Sequence, residues 1–295
     1  MRNLVEKLSE KVRGTITTAA NAGYDEARAV YNAMHDRRPA AVISCVDAAD
    51  VMATIAAARE GGLDLAVRGG GHSVPGFGTV DDGLVIDLSA MNSVQVDPGK
   101  KTARVGGGAT LGDADHATYP FGLAVPGGIV STTGVAGLTL GGGLGYLTRS
   151  AGFTIDNLLS ADVVLADGRQ VTASHYQNED LFWALRGGGG NFGVVTNFEF
   201  QLHQVGDVVG GPLFYEFEDA EAVLRGYREY IAEAPEALGC FFGWQIAPPL
   251  PFIPENRVGD LFCVLVPCWT GPHEETERVL KPLRNFAEVK AEYCV

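Results

Sequence analysis

Apolar positions along the chain follow a helical period in some stretches and a strand period in others. Leu4, Leu8 and Val12 share one helical face with charges between them, and Ala27, Val30, Tyr31 and Met34 repeat the spacing. This predicts a helical segment over residues 1–38, stopped at Pro39. The apolar run Ala40-Ala41-Val42-Ile43-Ser44 predicts a strand. Residues 48–60 read as a helix ended by Gly61-Gly62, and 63–67 as a second strand, together a βαβ-like unit. Leu84-Val85-Ile86-Asp87 and Thr102-Ala103-Arg104-Val105 alternate as strands and are expected to be joined through an Asp97-Pro98-Gly99 turn. A hairpin is expected over 162–171 with Asp167-Gly168 at its tip, then a short helix over 179–186 and a strand over 194–202. Beyond about 205 glycines thin out, aromatics and prolines increase, and acidic helices are expected near 218–233 and 273–288. The organisation expected is therefore an N-terminal helical segment (1–38), a glycine-rich domain (39–205) and a further domain (206–295).

Composition narrows the function. With 22 Lys+Arg against 36 Asp+Glu among 295 residues, the formal charge is −14, which disfavours nucleic acid and anionic membranes as partners. No apolar run approaches the roughly 20 residues needed to cross a bilayer. The N-terminus, Met1-Arg2-Asn3-Leu4-Val5-Glu6-Lys7, carries charges in place of an apolar signal core, so a cytoplasmic protein is expected. Cysteines 45, 240, 263, 268 and 294 are scattered. Cys263-x4-Cys268 has no second pair, so no metal site is expected and the thiols read as buried and reduced.

The 39 glycines carry the candidate chemistry. Gly188-x-Gly190-x-x-Gly193 matches a dinucleotide fingerprint in letters only, because a helix is expected before it and a strand after it. Two other loops are better anion cradles: Arg68-Gly69-Gly70-Gly71-His72-Ser73, and Val125-Pro126-Gly127-Gly128-Ile129-Val130-Ser131-Thr132-Thr133-Gly134-Val135-Ala136-Gly137. Successive glycines turn backbone N–H groups towards one anion, and Thr132 and Thr133 add hydroxyls. Two such loops point to a large ligand bearing a diphosphate. The competing reading, tight turns where strands cross closely, suffices for one loop better than for two. His72, at the first loop's tip, sets an imidazole nucleophile beside that ligand.

These loops, with Gly83-Leu84-Val85-Ile86-Asp87-Leu88-Ser89, Val105-Gly106-Gly107-Gly108-Ala109, residues 137–146, Gly152-Phe153-Thr154-Ile155-Asp156-Asn157 and residues 180–193, resemble the berberine-bridge-enzyme-like, PCMH-type FAD-linked oxidases of the vanillyl-alcohol-oxidase fold. The resemblance runs from about 15 to 205. It implies an α+β fold: a PCMH-type FAD-binding domain of two α+β subdomains, followed by part of an antiparallel-sheet substrate domain. It implies FAD, bound covalently through His72. The cofactor-binding residues it implies are Arg68, Gly69, Gly70, Gly71, His72, Ser73, Gly76, Gly127, Gly128, Thr132, Thr133, Gly134, Gly137, Gly142, Gly143, Gly145, Tyr146, Asn157 and Val195. Val130 stands where some members carry a second, cysteinyl link, so a single attachment is expected.

The implied reaction is hydride removal from an alcohol, amine or sugar-type substrate, with O2 as acceptor. Members of the family are longer, returning after the substrate domain to a tail that commonly supplies a tyrosine base. A chain ending at Val295 is therefore expected to be either a fragment or a naturally truncated product of doubtful activity, and no catalytic base is nominated. Trp244 and Phe242 are candidates to line the substrate site. Two alternatives stay open: a non-catalytic flavin-binding fragment, and a noncovalent FAD dehydrogenase or reductase of the same fold. The sequence leaves the oligomeric state open.

Overall fold

The computed structural model describes residues 2–295, with side chains from Leu4 onward. Its elements run α1 (Arg2–Ser9), β1 (Thr15–Thr17), α2 (Tyr24–Arg28), β2 (Ala41–Ser44), α3 (Ala48–Gly61), β3 (Leu65–Arg68) and β4 (Leu84–Asp87). Asp47 starts α3 by accepting from the amides of Ala49 and Asp50, and Gly62 ends it in the left-handed region. The three strands β2, β4 and β3 are parallel, with β4 in the middle and all four of its residues buried; β1 adds antiparallel to β2. The βαβ unit is thus a crossover that leaves room for β4 between its two strands.

The N-terminal segment departs from the single helical stretch expected over 1–38. The β-branched run Thr15-Ile16-Thr17 pairs with β2, because Gly14 can lie against the Ser44 carbonyl where any side chain would collide. Gly23, at φ +83°, precedes the short α2, which ends at the extended Ala29 and whose buried Tyr24 donates to Pro39 O at 2.6 Å. Residues 29–40 then form no helix or strand. Met34 is 88% and Tyr31 72% exposed, so their helical spacing does not mark a buried face.

The chain continues as β5 (Val94–Asp97), β6 (Thr102–Gly106), α4 (Leu111–Thr118), β7 (Leu123–Ala124), α5 (Val135–Leu140), α6 (Thr148–Ala151), β8 (Leu158–Val164), β9 (Gln170–Ser174), α7 (Glu179–Gly188), β10 (Val194–Gln201) and β11 (His203–Gln204). A five-stranded antiparallel sheet has the order β5-β6-β10-β8-β9. This corrects the pairing expected around Asp97-Pro98-Gly99. That turn joins β5 to β6, because Val94-Gln95-Val96-Asp97 forms a strand of its own, and β4 belongs to the other sheet. The β8–β9 hairpin turns at Asp167-Gly168, with Gly168 at φ +88°. Helix α7 kinks at Arg186-Gly187 and leads into β10, so Gly188-x-Gly190-x-x-Gly193 is not a strand-to-helix turn.

Two compact units result. The first runs to Leu144 and resumes at Phe153–Gln204; the second comprises Gly145–Gly152 and Val205–Val295. A boundary drawn at 205 alone leaves out the short segment containing α6. Arg149 ties that segment to the second unit, donating to the carbonyls of Ile231, Ala234, Pro235 and Leu238 at 2.7–2.9 Å.

The second unit is built from β12 (Val209–Gly210), β13 (Leu213–Glu216), α8 (Ala220–Glu233), β14 (Leu238–Ile246), β15 (Leu261–Trp269), α9 (Thr276–Arg284) and β16 (Val289–Glu292). Its strands form one antiparallel sheet, and Tyr215, Leu265 and Trp269 pack with Val223, Val279 and Leu283 of its helices. The second acidic helix is shorter than 273–288, because 289–292 pairs with β13 as a strand. All five cysteines are free; Cys45 and Cys263 are buried and the others partly buried.

Candidate cofactor site

The first glycine loop leaves the end of β3. Arg68 is turned inward there, bonded to Asp87 at 2.9 Å and to Ala29 O at 3.1 Å, so its guanidinium anchors the loop from below. The donors the loop itself offers are amides. From Gly69 to Ser73 five consecutive N–H groups have no acceptor among the described residues, and Gly71 sits at φ +72°.

The second loop meets the first. A methyl group added at Gly70 would strike the Gly134 backbone nitrogen, and one at Gly134 would strike Gly70. This contact needs glycine on both sides. The bonds Leu111 N to Thr133 O and Val135 N to Ala109 O, both 2.9 Å, hold the second loop against the start of α4. Gly127 and Gly128 pack on Leu111 and Leu138, and the amides of 127–132 also lack acceptors among the described residues. Two runs of unused amides held together by a side-chain-free contact fit an anionic group as large as a diphosphate.

His72 stands over this junction. Its Nε2 lies 2.9 Å from Thr132 Oγ1 and its Nδ1 3.4 Å from Thr133 Oγ1. The Tyr31 ring is stacked on the imidazole, with centroids 4.1 Å apart and planes 15° from parallel. Tyr31 is not among the cofactor residues the resemblance implies; its spacing reads as a helix face, and no local signal ties it to a loop 41 positions away.

The remaining expected residues divide. Ser73 faces the loop's return, its hydroxyl accepting from Phe77 N at 3.1 Å. Gly76, at φ +76°, leaves space that the His35 ring occupies. Gly137 has open space where a side chain would stand. Gly142 and Gly143 turn at φ +113° and +80°, and a side chain at Gly143 would strike the Thr154 hydroxyl. The buried hydroxyls of Thr139 and Thr154 have no partner among the described residues, and both flank this turn.

Asn157 is buried; its Nδ2 donates to Phe153 O and its Oδ1 lies 2.6 Å from His203 Nε2, whose burial lowers that imidazole's pKa. The Val195 side chain is packed in the core of the first unit. Gly145 and Tyr146 belong to the second unit. The Gly145 amide donates to Thr148 Oγ1, and Tyr146 meets Phe241 edge-on at 5.0 Å, burial raising its pKa to about 12. Trp244, 55% exposed, stands edge-on to the half-buried Phe242 on β14.

Residues 39–174 match the FAD binding domain family. The chain is 34% identical over 280 residues to the uncharacterised FAD-linked oxidoreductase YgaK of Bacillus subtilis, covering 92% of this chain and 59% of that one. It is 39% identical over 194 residues to (R)-6-hydroxynicotine oxidase of Paenarthrobacter nicotinovorans, covering 66% of this chain and 42% of that protein. Among solved structures, glucooligosaccharide oxidase from Acremonium strictum superposes with a TM-score of 0.83 at 27% identity, over 99% of this chain and 60% of that one. That oxidase carries a 6-S-cysteinyl, 8α-N1-histidyl FAD. The chain thus spans about 40 to 60% of the length of these relatives.

Proposed function

This chain carries the FAD-binding domain of the PCMH-type, berberine-bridge-enzyme-like FAD-linked oxidoreductases, and on that premise we propose that it binds FAD on the paired glycine loops, with His72 as the single covalent attachment. The observation that carries this reading is the junction of Gly70 with Gly134 beneath His72, between two runs of unused amides. The amides of 69–73 and 127–132 hold the diphosphate, and Thr132 and Thr133 contribute hydroxyls. Val130, exposed on the second loop, offers no thiol for a second link.

When bound, FAD supplies a two-electron acceptor for a hydride from an alcohol, amine or sugar-type carbon, with O2 as final acceptor. The protein's part is to hold the diphosphate and to present one imidazole at a fixed place.

Titrating FAD into the flavin-free chain tests the cradle directly, followed by quenching of flavin fluorescence. Saturable quenching that ADP competes away is expected, and Gly70→Val should abolish it, since its side chain forces the loops apart. Quenching that ADP leaves untouched, or that survives in Gly70→Val, contradicts the assignment.

A further inference from the structure

The contacts around the His72 ring come partly from outside the two loops. Residues 29–40 have no regular structure, yet part of this arm is laid along 71–79 by a series of bonds. Tyr31 N donates to Gly71 O at 3.1 Å, and Asn32 Nδ2 to Val74 O at 2.8 Å. His35 Nε2 lies 2.9 Å from the same Val74 carbonyl, and Arg37 Nη1 donates to Gly76 O and Thr79 O at 3.1 and 2.8 Å. The arm so fixed delivers the Tyr31 ring parallel to the imidazole at 4.1 Å. At 72% exposure this tyrosine fills no core; the ring it stacks on is His72. A histidine at a loop tip turns about two side-chain torsions, and a stacked ring together with an edge hydrogen bond restrains both.

On the reading that His72 is the flavin link, we infer that Tyr31 and Thr132 are positioning residues that set the plane and the tautomer of the imidazole for bond formation. With Nε2–H donating to Thr132 Oγ1, the lone pair is left on Nδ1, whose nearest polar contact is Thr133 Oγ1 at 3.4 Å. Coupling at Nδ1 exchanges a C–H bond of the flavin 8α-methyl for a C–N bond. One hydrogen leaves the methyl carbon and one leaves the imidazole N–H; the two protons and two electrons pass by way of the flavin to O2, giving hydrogen peroxide. Thr132 lies where the imidazole proton departs.

The test adds FAD to the flavin-free full chain and follows acid-precipitable flavin with time from pH 6 to 9. Wild type is compared with Tyr31→Phe, Tyr31→Ala, Thr132→Ser and Thr132→Val, and total bound FAD is measured in parallel. Tyr31→Ala should slow attachment by about 3- to 10-fold with total binding within about twofold, and Tyr31→Phe should restore the rate. Thr132→Val should slow attachment and move its pH profile, and Thr132→Ser should restore both. Attachment by Tyr31→Ala at the wild-type rate overturns the inference, as does Tyr31→Phe being as slow as Tyr31→Ala. Loss of all bound FAD in Tyr31→Ala also overturns it, by making Tyr31 a structural residue. Wild type that binds FAD without any acid-stable flavin overturns instead the reading of His72 as the link.

Discussion

Asp50 is 1% exposed and accepts three backbone amides, from Arg13 at 2.8 Å and from Gly14 and Val46 at 3.0 Å. One carboxylate thereby joins the arm before β1 to the entry of α3. Asp50→Ala orphans all three donors, and at about 1–3 kcal/mol for each unmet buried group a loss of at least 3 kcal/mol is expected in urea unfolding. Arg68 and Asp87 form a buried ion pair, their side chains 9% and 12% exposed. Removing one partner strands a buried charge, so Arg68→Met should cost about 3–5 kcal/mol by the same measurement. If that variant instead kept its stability and lost only FAD affinity, Arg68 would be a ligand group and not the anchor its contacts make it.

Among the elements, α6 is a single turn within the short segment Gly145–Gly152 of the second unit. Arg149 meets four carbonyls at and beyond the end of α8, where unpaired backbone acceptors accumulate. Arg149→Met should lower stability by about 2 kcal/mol or more and speed proteolysis within 145–152, read by limited digestion and mass spectrometry. An unchanged digestion pattern would show that the segment is held by other contacts. Such long-range ties explain what the sequence could not display. Strands β2, β3 and β8–β10, helix α3 and the Asp167-Gly168 turn are local patterns and were legible as such. The glycine loops were legible because each consists of consecutive unusual residues. The arm over 29–40 was not, since its conformation is set by acceptors on 71–79, and its apolar spacing mimics a helix. The place of Gly145 and Tyr146 was lost for the same reason, because Arg149 pulls their segment to carbonyls more than 80 residues away.

At the scale of the whole molecule, burial raises the thiols of Cys45 and Cys240 to about 12, and the phenols of Tyr146 and Tyr227 also to about 12. The unfolded chain releases these protons nearer pH 9 to 10, so between there and about 12 the folded state binds more of them. Stability is therefore whole below about pH 9 and falls as pH rises, by at most about 1.4 kcal/mol per pH unit for each group. Under reducing conditions the thermal midpoint should be lower at pH 10.5 than at pH 8; a flat profile would contradict the burial of these groups. The proposed attachment of FAD through His72 is one bond on this scaffold. An acid-precipitated sample run on a denaturing gel and scanned for flavin fluorescence, beside His72→Ala, tests it most directly. Fluorescence is expected to co-migrate with the wild-type chain and to be absent from the variant. Fluorescence in both lanes, or in neither although the native wild type shows a flavin spectrum, would contradict attachment through His72.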